Sequence, residues 1–243
     1  MLPILQIFGL ALQLPPFTVL IGLMLSLTIA GRLAEQQGLN GDVISNAGVV
    51  AFVTGVLGAR LGYVALNWSV YQQDLSAVLA LNVNGLLAAS GWVCALIVGV
   101  FYLRQKHLLT WQTLDVIAPA MVFFLACWAL SALFSGDGFG TLTTVPWAID
   151  LWGAQRHPVQ AYEAMLLVGL AFGLWRIGQR SQQHGYAALS LVIGVALIRV
   201  FVDGFRADVP LIVGLRTTQL CGVFVSSVAL WLMTQRQLTK NSA

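Results

Sequence analysis

The stretch Gln155-Arg156-His157-Pro158-Val159-Gln160-Ala161-Tyr162-Glu163 sets a guanidinium, an imidazole, an amide, a phenol and a carboxylate at the start of a long apolar run. Pro158 suits the first position of a helix, where its missing N–H would be unpaired in any case. Arg156 and His157 then stand at the helix mouth. The free N–H groups of the first turn and the positive end of the helix dipole point there, which makes the mouth a candidate anion site. Gln160 and Glu163 are three apart and share a face, with Glu163 roughly 7 Å inside the helix start at about 1.5 Å per residue. A carboxylate at that depth calls for a partner. Two further groups of ionisable residues interrupt apolar runs: Arg60 with Tyr63 three residues on, and Arg199, Asp203 and Arg206 at i, i+4 and i+7. Each group lies on one helix face. Together with Arg156, His157 and Glu163 they could line one polar cavity. Simpler roles stand beside this one: Arg60 snorkelling or pairing with a loop carboxylate, the Arg199-Asp203-Arg206 row as a salt-bridge ladder, and His157 as a helix cap.

The elements that must position these groups are membrane helices. Of 243 residues, 58% are hydrophobic and only 9% charged, against about 25% charge in a soluble domain. The apolar stretches are continuous rather than alternating, which favours helices over a barrel. The fold class expected is an all-α integral membrane protein, a bundle of seven transmembrane helices forming a single domain over 1–243. The spans run over about 17–33, 42–67, 86–103, 114–134, 158–177, 187–205 and 211–233. Residues 1–16, closed by Pro15-Pro16, are too short to span and are expected to form an interfacial segment. Nothing in Met1 to Leu10 marks a removable leader.

Cytoplasmic loops carry the excess of Lys and Arg. Arg32, Arg104, Lys106, Arg176, Arg180, Arg236 and Lys240 fall on one side, and Arg156, Arg206 and Arg216 on the other. This places the N-terminus outside, the C-terminus in the cytoplasm and the Arg156-His157 mouth outward. The net charge of +3 is scattered, so nucleic acid is not an expected partner. Cys94, Cys127 and Cys221 read as buried small hydrophobes, with no metal site or cofactor implied. Gly58 to Gly62 and Gly169 to Gly173 read as helix-packing spacings. The loop 135–140, Ser-Gly-Asp-Gly-Phe-Gly, has the freedom to approach a ligand closely.

These motifs resemble those of the bacterial prolipoprotein diacylglyceryl transferases over most of the chain. Arg156 to Glu163 is similar to that family's Arg-His-Pro-Ser-Gln-Leu-Tyr-Glu signature, and Gly58 to Val64 to its Gly-Arg-Ile-Gly-Tyr-Val segment. Asp115 to Pro119 resembles the start of the family's fourth helix, and Pro146-Trp147-Ala148 the loop beyond it. Arg199 to Arg206 looks like Arg-Ile-Ile-Val-Glu-Phe-Phe-Arg, with Asp203 for glutamate, and Thr217 to Leu220 is similar to the start of the last helix. The resemblance implies transfer of a diacylglyceryl group from phosphatidylglycerol to the cysteine thiol of a lipoprotein precursor at the outer face of the bacterial inner membrane, with release of glycerol phosphate. It implies Arg199 as the clamp on the phosphate and His157 as an aid to proton transfer. Arg60, Tyr63, Arg156, Gln160, Tyr162, Glu163, Asp203, Arg206 and Gln219 would form the lipid-binding pocket. Guanidinium suits a phosphodiester because it stays charged and binds bidentately.

The chain departs from the family where the latter reads Gly-Arg-Ile-Gly-Asn-Phe-Ile-Asn-Gly-Glu. Trp128 to Asp137 stands there, with Ala129 for the arginine and Ala132 for the first asparagine. Ile21 replaces a tyrosine, and the nearest histidine to the third helix is His107, at its far end. Loss of one of two phosphate-binding groups costs on the order of 10²-fold in rate. A non-catalytic phospholipid-binding or scaffold protein therefore stands as the alternative. A small-solute transporter is a weaker one, because the polar residues do not continue to the cytoplasmic side.

Overall fold

A computed structural model of the chain describes residues 4–7, 10–80, 85–180, 183–207, 209, 211–212 and 215–241. The long helices are α1 (Leu14–Gln36), α2 (Gly41–Leu66), α4 (Ala88–Gln105), α5 (Trp111–Ser135), α6 (Val159–Arg180), α7 (Tyr186–Val202) and α8 (Thr217–Asn241), with a short α3 (Trp68–Tyr71). Seven helices are long and apolar enough to cross a membrane, so the chain is an all-α multi-pass membrane protein. Their ends differ from the expected ones in three places. Residues before α1 pair as a hairpin, β1 (Ile4–Ile7) with β2 (Leu10–Gln13), and Pro15 and Pro16 lie in the first turn of α1 rather than outside it. That turn tolerates proline because its N–H groups have no intrahelical acceptor. At the other end, α7 tightens into a 3₁₀ turn at Asp203–Phe205, and 211–216 holds a hairpin, β5 (Leu211–Ile212) with β6 (Leu215–Arg216), before α8 begins. Between α5 and α6, β3 (Ile149–Leu151) and β4 (Ala154–Arg156) form a third hairpin. Its two-residue turn has Trp152 at φ 57° and Gly153 at φ 74°, the left-handed pair that matches strand twist.

The chain gathers into two compact units, Met1–Ile29 with Leu114–Ala243, and Ala30–Thr113. In the smaller unit α2 packs on α4 through small residues. A Cβ on Gly58 would overlap the side chain of Cys94, one on Gly62 would overlap Ser90, and one on Gly55 would lie 3.2 Å from the carbonyl of Gly91. The Gly58–Gly62 spacing is therefore a packing face, as helices that lack a hydrophobic drive to associate require close approach. Gly169 and Gly173 differ: a Cβ on either meets nothing within 4 Å, so that spacing packs no helix among the described residues. The loop after α2 is ordered by Asp74, which accepts from the amide (3.0 Å) and hydroxyl (2.6 Å) of Ser76 at the start of a 3₁₀ turn, Leu75–Leu79. The Ser76 hydroxyl bond, then the amide bond, hold this carboxyl below its ordinary range.

In the larger unit Ala118, Val122, Ala126 and Ala129 form one stripe of α5. Successive three- and four-residue steps keep these positions on one face. They pack with Ala164, Leu167 and Leu174 of α6 and Ala187 of α7. The N-terminus of α7 has Gly185 at its cap, with no side chain to offer. Asp115 of α5 supplies the missing acceptors, taking hydrogen bonds from the amides of Gly185 and Ala188 (2.8 Å). This capping carboxylate locks α5 to α7 across 70 residues of sequence. Of the cysteines, Cys127 packs at Gly22 of α1 and Cys94 at Gly58, both half-buried, and Cys221 is exposed on α8, so none is fully buried as expected.

Candidate functional site

Glu163 lies one turn into α6, buried, with 4% of its side chain exposed. Its two oxygens bind two arginines from a single neighbouring strand of sequence. Oε1 lies 2.9 Å from Arg199 Nη2 on α7, and Oε2 accepts from Arg206 Nη2 at 2.6 Å just past the 3₁₀ turn. Arg206 follows directly on the Asp203–Phe205 3₁₀ turn, and its guanidinium lies against the Glu163 carboxylate beside that of Arg199. Asp203, buried, lies with Oδ1 3.1 Å from Arg206 Nε. The angle is too poor for a hydrogen bond, so this contact contributes charge attraction more than direction. Within the row itself Arg206 pairs with Asp203, as a ladder would have it, and both arginines also bind Glu163 of α6.

Arg206 is covered from below by the loop after α5. Gly138 has φ +65°, and a Cβ there would lie 2.7 Å from Arg206 Nη1. The loop is zipped onto the turn by Thr141 N to Phe205 O (2.8 Å) and Ala207 N to Phe139 O (3.0 Å). The glycine loop makes its close approaches within the protein, Gly138 to Arg206 and Gly140 to the carbonyl of His157. Burial separates the two arginines: 14% of the Arg206 side chain is exposed and 40% of Arg199. Arg206 is enclosed by two carboxylates and a loop. Arg199 keeps an open face.

The remaining residues of the Arg156–Glu163 stretch take separate places. Arg156 donates to the carbonyls of Leu151 (3.2 Å) and Gly140 (3.1 Å) and stacks over Phe139 at 4.8 Å, which fastens the β3–β4 hairpin to the glycine loop. Pro158 is the residue before the helix rather than its first; its carbonyl accepts from Ala161 and Tyr162. Gln160 is fully buried and donates Nε2 to the Asp137 carbonyl at 2.7 Å, while its Oε1 has no hydrogen-bond donor among the described residues. His157 does not cap α6 with its ring. Nδ1 lies 3.3 Å from the Tyr162 hydroxyl, and the ring packs on Phe205 at 5.2 Å. The Tyr162 hydroxyl also accepts from Trp147 Nε1 at 2.6 Å. Gln219 joins the start of α8 to α7 through the carbonyl of Val200 (3.1 Å) and accepts from the Arg216 amide.

Arg60 and Tyr63 belong to the smaller unit. Arg60 is buried and meets no carboxylate among the described residues. It donates Nε to Val78 O (3.0 Å), Nη2 to Ala77 O (2.6 Å) and Nη1 to Gly85 O (3.1 Å), with its guanidinium 5.1 Å over the Tyr71 ring. Tyr63 packs edge-on against Tyr71 at 6.5 Å. Carbonyls instead of a carboxylate or open water are what sequence spacing could not convey.

Ala129 is 3% exposed within the apolar stripe of α5, in the same cluster as Ala164 and Leu167. Ala132 carries a backbone role: its carbonyl accepts from Gly136 and Asp137 (3.0 and 3.1 Å) and closes the end of α5 with Gly136 left-handed at φ 79°. Sequence reasoning passed over Trp147 and Gly138 as site components.

The family model for prolipoprotein diacylglyceryl transferase matches residues 3–235. Among curated proteins the chain is similar to the phosphatidylglycerol–prolipoprotein diacylglyceryl transferase of Finegoldia magna, 26% identical over 240 residues that cover 97% of this chain and 96% of that one. It is similar also to that of Clostridioides difficile, 25% identical over 88% of this chain and 86% of its relative. The enzyme of the same name from Thermosynechococcus vestitus is 25% identical over 88% and 84%. With the match running through both units and the ion cluster, the chain belongs to the prolipoprotein diacylglyceryl transferase family.

Proposed function

We propose that this protein transfers the diacylglyceryl group of phosphatidylglycerol to the cysteine thiol of a prolipoprotein, working at the outer face of a bacterial plasma membrane. The observation that carries the reading is the unequal pair of arginines on Glu163: Arg206 enclosed, Arg199 with 40% of its side chain open. A guanidinium held by a carboxylate on one edge keeps N–H groups on the other for a phosphate oxygen. The thiol sulfur attacks the glyceryl carbon that bears the phosphate, the carbon–oxygen bond breaks, and charge grows on the departing phosphate. Arg199, fixed in advance by Glu163, meets that charge without reorganising. Gln160 Oε1, buried and lacking a donor, is the acceptor for a headgroup hydroxyl. Arg206, Asp203 and Arg156 set the geometry by holding Glu163 and the glycine loop. Gln219 holds α8, and in their own unit Arg60 holds the carbonyls of Ala77, Val78 and Gly85, with Tyr63 against Tyr71. The outward orientation is supported by the distribution of Lys and Arg, and the lipid and acceptor by the names of the relatives. The test is transfer by purified protein in phosphatidylglycerol vesicles to a peptide bearing the acceptor cysteine, read as the mass gain of one diacylglyceryl group.

One observation favours a second reading, a phospholipid-binding protein without transferase activity: Ala129 lies in the apolar core where the family pattern has an arginine. In that case phosphatidylglycerol co-purifies and the peptide mass stays unchanged.

A further inference from the structure

Trp147, Tyr162 and His157 form a chain of hydrogen-bond partners. Indole Nε1 is a donor only. At 2.6 Å from the Tyr162 oxygen it gives its proton to that oxygen. The phenol keeps one proton of its own, and the arrangement in which each group in the chain donates to the next sends it to His157 Nδ1 at 3.3 Å. A ring nitrogen that accepts is unprotonated, so in neutral imidazole the proton sits on Nε2. The ring cannot readily turn to exchange the two, being packed on Phe205 at 5.2 Å and on Tyr162 at 6.1 Å. Phe205 belongs to the 3₁₀ turn that directly precedes Arg206.

We infer that Trp147 and Tyr162 are positioning residues that hold His157 as the Nε2–H tautomer, so that His157 acts as a hydrogen-bond donor to the departing phosphate and not as the base for the thiol. The inference rests on the transfer reading above. The sulfur–carbon bond forms, the carbon–oxygen bond to phosphate breaks, and the thiol proton ends on the released phosphate oxygen. His157 keeps its own proton throughout and donates to the developing charge. A base at Nδ1 would first have to break the bond from Tyr162, and neutral Nε2 already carries a proton.

The chain has three histidines, so ¹⁵N-histidine labelling of the detergent-solubilised protein, with His157→Gln to identify the signal, reports the tautomer directly. Recorded near pH 9, above the usual histidine range, His157 is expected to give a protonated Nε2 and an unprotonated Nδ1. Tyr162→Phe removes the donor and is expected to move the signal toward a mixture of tautomers, with kcat lower by about 10-fold and the lipid KM within about twofold, less than the roughly 10²–10⁴-fold of losing an acid–base group outright. His157→Gln, which retains an N–H donor but cannot act as a base, is expected to keep more activity than His157→Ala. An Nδ1–H signal in the unmodified protein, no change on Tyr162→Phe, or equal loss in the glutamine and alanine variants overturns the inference. Transfer accompanied by an Nδ1–H spectrum overturns the tautomer and leaves the reaction standing. An Nε2–H spectrum in a protein that transfers nothing removes the donor role together with the reaction.

Discussion

Glu163 Oε2 accepts a hydrogen bond of 2.6 Å from Arg206 Nη2 while its other oxygen lies 2.9 Å from Arg199 Nη2. One buried carboxylate therefore fixes two guanidiniums from α7 and the turn that follows, and their different burial divides the work. Arg206→Ala leaves Glu163 and Asp203 buried with less compensation, and breaking such a pair costs about 3 kcal/mol or more. Arg199 is far more exposed, and a pair screened by solvent contributes about 0–1 kcal/mol. Thermal unfolding in detergent should show Arg206→Ala clearly destabilised and Arg199→Ala close to the unmodified protein, although both lose transfer. Equal destabilisation would remove the division between them.

Gly138→Ala tests the loop beneath Arg206. Its φ of +65° and the 2.7 Å between an added Cβ and Arg206 Nη1 act together. A left-handed non-glycine residue costs of order 1–3 kcal/mol. The expected outcome is a lower unfolding temperature and a loss of transfer, whereas Gly153→Ala, with the same sign of φ but nothing within 4 Å, should destabilise without touching transfer. Transfer that survives Gly138→Ala unchanged would separate the loop from the ion cluster.

Placing at position 129 the arginine that the resemblance implies should not help. Ala129 sits in a closed apolar cluster with Ala164 and Leu167, and an arginine there must either overpack that cluster or bury its charge. Overpacking alone costs typically about 1–3 kcal/mol. Ala129→Arg is expected to lower the unfolding temperature and to leave transfer at or below the unmodified rate. A gain in rate would mean that the space around Ala129 is larger and more polar than the packing indicates.

Arg60 binds three carbonyls and a ring face, a geometry lysine cannot reproduce. With Arg60→Lys the 3₁₀ turn Leu75–Leu79 loses the fork on Ala77 and Val78. Hydrogen exchange of its amides should quicken, while amides in the middle of α2 remain protected. Unchanged exchange at Leu75–Leu79 would show that Asp74 and Ser76 hold the turn unaided.

Hydrophobic run length conveyed the seven helices and the grouping of ionisable residues on α6 and α7, because both depend on spacing within one element. Strands of two to four residues are too short to carry a period, so the three hairpins were invisible, and the last helix was expected to begin at Leu211 instead of Thr217. Partnerships with backbone were equally hidden. Arg60 on carbonyls and Asp115 on the amides of Gly185 and Ala188 involve atoms that every residue has. The spacing of Arg199 and Arg206 put them on one face, but that both bind Glu163 of another helix was not in the spacing. The link from Trp147 to Tyr162 joins residues 15 apart with the β3–β4 hairpin between them, a pairing of side chains that no spacing within one element conveys.

The central claim is that Arg199, held by Glu163, supports group transfer from an anionic phospholipid to a thiol. It is tested most directly by mass spectrometry of an acceptor-cysteine peptide incubated with purified protein in phosphatidylglycerol vesicles. The expected result is a diacylglyceryl thioether from the unmodified protein and a rate at least about 10²-fold lower from Arg199→Ala. Peptide left unmodified by folded protein that retains bound phosphatidylglycerol, or an Arg199→Ala variant as fast as the unmodified protein, would contradict it.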